Sequence, residues 1–215
     1  MYYNKKQLEA VKFASKDETR QAIAGLYFEE NRVVATDGHR LMVVNSTPSN
    51  DTRESFPPSD DFAEPKTGED FEPFTVPRKT VEKITKNIPS KMGENDCLEV
   101  IKIAPSKNPK KIACQTFDFE ETTTVETKPV EGRFPDYRQV LPDYSGYQKI
   151  GINGAYLAEM AKELSKYDTK GKMVVLHIAP PEIAGEGYDK GRIIITAEDE
   201  NGTKAEAVIM PMRLK

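Results

Sequence analysis

The side chains with the most chemical potential gather at Asp37-Gly38-His39-Arg40, which sets an acid, an imidazole and a guanidinium within four residues. Such a cluster could polarise a bound group. Covalent chemistry would need a Ser or Cys nucleophile beside a base and an orienting acid, and the spacing supplies no such set. The chain has only two histidines and two cysteines. His177 lies in the apolar run Val174–Ile178 and reads as a core or strand-face residue. Cys97 and Cys114 stand at no metal-ligand spacing. The sequence therefore assigns no catalytic residue, no metal site and no cofactor.

Other apparent motifs fail on context. Gly185-Glu-Gly187-Tyr-Asp-Lys-Gly191 has the wrong spacing for a dinucleotide fingerprint and precedes a strand, not a helix. Asp199-Glu200-Asn201-Gly202 lacks the ligand series of a calcium loop. The Asp-Gly pair at 37–38 signals a chain reversal, because Gly accepts a positive φ, so the acid–imidazole–guanidinium corner sits between two apolar arms, Val33–Thr36 and Leu41–Val44.

The elements that hold this corner follow from periodicity. Residues 4–16 begin with an Asn cap and read as a helix with Leu8 and Val11 inward. Ala22–Glu29 and Arg32–Val44 read as strands. Residues 46–73, rich in Pro, Ser, Asp and Glu, read as a long surface loop. Arg78–Asn87 forms a second helix with Val81, Ile84 and Ile88 on one side and Lys79, Lys83 and Lys86 on the other. Strands are expected near 97–104, 110–118 and 121–130, then a connector from Gly132 to Tyr147. Lys149–Ile152 reads as a short strand, 154–167 as a third helix, and Met173–Ala179, Arg192–Ala197 and Lys204–Met210 as strands. Asn201-Gly202 turns the last pair. A helix followed by strands, three times over, is an α+β pattern.

The 215 residues carry a net charge of −4, with 31% charged and 37% hydrophobic residues. The whole protein is therefore no basic nucleic-acid binder, and any such surface must come from local clustering. Two helices do cluster Lys opposite an apolar stripe, a pattern that suits non-specific contact with a phosphate backbone. No apolar run reaches membrane-spanning length, and the expected setting is cytoplasmic, with reduced cysteines.

Five segments occur in an order that identifies a family resemblance: Lys12–Arg20, Ala35-Thr36-Asp37-Gly38-His39-Arg40-Leu41, Val76-Pro77-Arg78-Lys79, Gly132–Arg138 with Val140-Leu141-Pro142, and Val208–Leu214. The set resembles the bacterial DNA polymerase III beta subunit, the sliding clamp. The resemblance implies a DNA-clamp fold and a non-catalytic processivity factor that encircles duplex DNA. Helices lining its hole would make Lys5, Lys12, Lys79, Lys83 and Lys86 DNA-facing. DNA polymerase and clamp loader would bind through short linear peptides in a hydrophobic cleft. Matching motifs place that cleft at Ile23, Thr36, Gly38, His39, Arg40, Leu41, Pro142, Val208, Ile209, Met210, Pro211, Met212 and Arg213. It follows that residues far apart in sequence should be neighbours.

Length departs from the family pattern. The chain resembles the middle domain over 1–142 and the C-terminal half of the third domain over 143–215, with the first domain lacking. About three half-domains result, an odd count that implies self-association. The competing expectation is a clamp-derived interaction module, a decoy or regulator that binds clamp-motif peptides without encircling DNA.

Overall fold

The alternation of apolar residues decides which strands form and which face they bury. In a computed structural model, residues 1–45, 59–63, 71–88, 100–117, 121–147, 149–168, 170–178 and 192–212 are described. The chain divides into two compact units, Met1–Leu141 and Pro142–Lys215.

The first unit runs β1 (Tyr2–Asn4), α1 (Lys5–Leu8), β2 (Gly25–Glu29), β3 (Arg32–Thr36), β4 (Leu41–Asn45), β5 (Phe74–Pro77), α2 (Arg78–Asn87), β6 (Val100–Pro105), β7 (Ile112–Phe117) and β8 (Thr122–Thr127). These strands make two antiparallel four-stranded sheets, ordered β4-β3-β2-β5 and β1-β6-β7-β8. One core joins both sheets to both helices: Leu8 and Val11, Val81, Ile84 and Ile88, Leu26 and Phe28, Ile101 and Ile103. Burial of each such side chain contributes about 1.5–3 kcal/mol. Tyr3 meets Phe28 edge-on, ring centroids 4.9 Å apart, and so ties one sheet's edge strand to the other sheet. Cys114 lies in this core, and burial pushes its thiol up to about 12. Cys97 lies outside the described residues.

The second unit is smaller. α3 (Gly154–Leu164) lies on a three-stranded antiparallel sheet of β9 (Val175–Ile178), β10 (Ile193–Glu198) and β11 (Lys204–Ile209), in the order β11-β10-β9. Its core is Leu164, Ile193, Ile195, Ala197 and Ile209, with Leu157 and Met160 against it. The α+β pattern of helices and antiparallel sheets is thus present.

Several local expectations are corrected. The helix expected over 4–16 is α-helical only to Leu8 and continues as a 3-10 helix, Glu9–Phe13. The buried residues Leu8, Val11 and Ala14 are spaced by three, the 3-10 period. The strand expected from Ala22 begins at Gly25, after a 3-10 turn at Gln21–Ile23. Among the described residues Lys149–Ile152 forms no strand, and its one ladder contact is the bridge from Gly151 to Met212. Within the expected surface loop 46–73, Phe62 is buried, bridges Ser106 and lies under the Lys102 ammonium at 4.0 Å. Most of that loop, and the glycine-rich 185–191 stretch, lie outside the described residues.

Candidate functional site

The Asp37–Arg40 corner is a tightly bonded hairpin turn. Thr36 pairs with Leu41 across the β3–β4 ladder, and Gly38 takes φ +91°, a conformation that L side chains resist. Asp37 Oδ1 accepts from the backbone N–H groups of His39 (3.0 Å) and Arg40 (3.1 Å), and its Oδ2 accepts from Arg40 Nε at 2.9 Å. These bonds, the Arg40 guanidinium foremost, hold the Asp37 carboxyl well below the usual carboxylate range. Thr36 Oγ1 donates to the Arg40 carbonyl (2.9 Å) and accepts from Gly38 N–H (3.0 Å). Arg40 also donates to the Lys12 carbonyl and covers the Phe13 ring at 4.8 Å.

The acid and the guanidinium are therefore engaged with each other and with the turn, a structural use. His39 is exposed, and its ring has no hydrogen-bond partner among the described residues. Sequence reasoning missed Arg20 as part of this corner. Its guanidinium donates to the Asp37 carbonyl at 2.8 Å, and a Cβ on Gly38 would meet its Nη2 at 2.5 Å. The only sequence signal was a charge in the Lys12–Arg20 segment.

Ile23 and Leu41 meet in an apolar cluster with Val34, Tyr27, Phe134 and Tyr137. The Gly132–Arg138 segment is strapped onto β2 by it. Phe134 stacks on Tyr27 (4.5 Å, 3° between planes), while the buried Glu29 carboxylate accepts from Tyr137 Oη at 2.7 Å and Arg138 Nη2 at 2.6 Å. Burial and that carboxylate push the Tyr137 phenol above its ordinary value. Ile23 is buried and so contributes to the floor of this surface; Leu41 is only half-buried.

The remaining expected cleft residues lie in the second unit. Ile209 is buried in the core, and Val208, Met210 and Met212 stand half-exposed. Pro142 is exposed and Pro211 partly so. Met212 N–H donates to the Gly151 carbonyl at 2.7 Å, which pins this end of the chain. Arg213 lies outside the described residues.

The two helices of the first unit run antiparallel. Lys5 Nζ, at the start of α1, donates to the Ile88 carbonyl at the end of α2 (3.2 Å), and Arg78, at the start of α2, donates to the Ala14 carbonyl. Lys5 thus satisfies a helix C-terminus. Lys12 pairs with Glu9 at 3.2 Å and Lys79 with Glu18 at 2.5 Å, and the latter raises the Lys79 ammonium above its ordinary value. Lys83 and Lys86 are exposed without an ion pair among the described residues, as is Lys6, which the sequence reading did not single out. Among the described residues no group of three or more His, Cys, Asp and Glu could hold a metal ion, and no helix is long and apolar enough to cross a membrane.

Paired helices on antiparallel sheets define the fold class, and solved structures identify it as the DNA-clamp fold. The C. crescentus beta sliding clamp superposes with a TM-score of 0.64 at 21% identity, over 98% of this chain and 50% of that one. A sliding clamp from Bartonella birtlesii bound to griselimycin gives 0.64 at 19%, over 100% of this chain and 51% of that one.

The chain is similar in sequence to the beta sliding clamp, the DNA polymerase III beta subunit. It is 28% identical over 167 residues to the clamp of Rickettsia bellii and 27% over 165 residues to that of Rickettsia felis. Each match takes in 74% of this chain and 37% of the relative, so the chain spans little more than a third of the length of these relatives. No protein-family model matches it.

Proposed function

We propose that this chain is a non-catalytic, sliding-clamp-like processivity factor of DNA replication, acting in the cytoplasm. It holds duplex DNA through backbone contacts within an oligomeric ring. It tethers DNA polymerase and clamp loader through short linear peptides. The observation that carries this reading is the antiparallel helix pair, whose solvent sides present Lys6, Lys83 and Lys86 without ion pairs among the described residues, in a chain of net charge −4. Lys supplies charge to phosphates without reading bases. Lys5, Lys12 and Lys79 are weaker DNA contacts, being engaged with a helix end or with Glu9 and Glu18. Peptide contacts fall to His39, Leu41 and the exposed Val208, Met210 and Met212, with Met supplying adaptable apolar surface.

Retention on closed circular DNA, compared with the same DNA linearised, tests the ring. Loss from the linear form alone is expected, because a ring slides off ends. Equal retention favours the alternative, a clamp-derived peptide-binding module, which the ion-paired Lys12 and Lys79 would also suit. Replacing Lys83 and Lys86 by Ala should lower the salt dependence of DNA binding by about two phosphate contacts' worth.

A further inference from the structure

One motif recurs along the chain: a short leading segment, a helix, then three antiparallel strands. In the first unit it occurs twice, as β1–α1–β2–β3–β4 and β5–α2–β6–β7–β8, and the two halves exchange their leading strands. β1 adds to the edge of β6 with Tyr3 opposite Ile101, and β5 adds to the edge of β2 with Val76 opposite Leu26. Neither leading strand pairs with the first strand of its own half. The second unit holds the motif once, as residues 149–152, α3 and β9–β11. Its sheet ends at β9. On the outer edge of β9, the place that β1 and β5 fill in the other sheets, no strand lies among the described residues.

Burial marks the same gap. Leu26 and Phe28 in β2, and Ile101 and Ile103 in β6, are each 0% exposed. Their counterparts in β9 are Leu176 and Ile178, which stand opposite the buried Ile195 and Ile193 and so share their face of the sheet. Yet Leu176 is 46% exposed and Ile178 50%. α3 packs over β10 and β11, which leaves this strip of the face to water. Among the described residues the leading segment also has few backbone partners. Ile150 and Ile152 rest against the core, Gly151 makes one bridge, and Asn153 caps α3 through Ala155 N–H at 2.9 Å, as Asn4 caps α1.

We propose that two copies of this chain exchange residues 149–152. Each segment adds to the other's β9 edge with Ile152 opposite Leu176, and the paired α3 helices complete a two-half domain like the first unit. A second copy is the occupant because it brings another half with an apolar leading strand, and exchange between identical halves closes under a two-fold axis. Charge agrees. Glu159, Lys162, Glu163 and Lys166 form one exposed stripe of both signs on and just beyond α3, so an antiparallel copy sets acid against base. This inference rests on the second unit alone and is independent of DNA and peptide binding.

Sedimentation of the full chain without DNA, across the micromolar range, should give a species of twice 24.2 kDa. Leu176→Arg should weaken that dimer by about tenfold or more. Ile152→Cys combined with Leu176→Cys, in a Cys97→Ser background under a mild oxidant, should give a covalent dimer. A monomer throughout, or a disulfide closed within one chain, overturns the proposal. A dimer that fails the circular-DNA experiment leaves the exchange standing and removes the processivity reading.

Discussion

The two units use the same local pattern and reach different ends. In the first, the leading strands of two halves cross over, and Leu26, Phe28, Ile101 and Ile103 vanish into one core. In the second, a single half leaves Leu176 and Ile178 half in water. The residues at these positions are alike in hydrophobicity. Burial at these positions thus differs between the units while residue type does not.

The largest effect is expected at the closed core. Phe28→Ala should cost about 3–5 kcal/mol, independent of protein concentration. Leu176→Ala should cost little when the chain is dilute, within about 0.5 kcal/mol as at other exposed sites, and progressively more as concentration rises. Urea denaturation at two concentrations reads both. Equal, concentration-independent losses at the two sites would abolish the contrast between the units.

Next is the strap on the first unit. Tyr137→Phe removes a hydrogen bond to the buried Glu29 carboxylate and should cost about 1.5–3 kcal/mol. The loss should appear in hydrogen exchange of β2 and its neighbours and leave β9–β11 unchanged. A smaller loss is expected for Gly38→Ala, about 1–2 kcal/mol for a left-handed backbone, again confined to the first unit.

The smallest effect is in acid. The folded-state pKa of Asp37 is depressed, so its contribution is fully present above the ordinary carboxylate range and is lost as pH falls through the folded value. Asp37→Asn should flatten the acid limb of the first unit's stability curve. An unchanged limb in an acid titration would mean that the turn's bonds form equally in the unfolded chain.

Much of the architecture was legible in sequence. The helix expected at Arg78–Asn87 is present with those bounds, because Val81, Ile84 and Ile88 carry a clean apolar stripe. The strands near 110–118 and 204–210 form as Ile112–Phe117 and Lys204–Ile209. The Asp37–Arg40 reversal was legible from Asp-Gly alone. What periodicity missed is instructive. It cannot separate an α-helix from a 3-10 helix over Glu9–Phe13, since Leu8 and Val11 satisfy both. It marked Lys149–Ile152 as a strand, where the structure has only the Gly151–Met212 bridge, because a strand needs a partner edge as well as an apolar pattern. Nor could it show that Lys5 and Lys79 are engaged, because Ile88 and Glu18 reach them only through folding, whereas Glu9 and Lys12 pair locally at i,i+3.

The sequence by itself determined the repeating pattern of helix and alternating strands, the hairpin corner and the basic helix faces, because periodicity and turn chemistry act over a few residues. Only the tertiary structure decided which strand crosses to which sheet, and that Asp37 and Arg40 spend their charges on each other. It also separated apolar side chains that reach a core from those left at its edge. Those outcomes depend on contacts between residues far apart in the chain, as Tyr3 meets Ile101 while Leu176 still faces water.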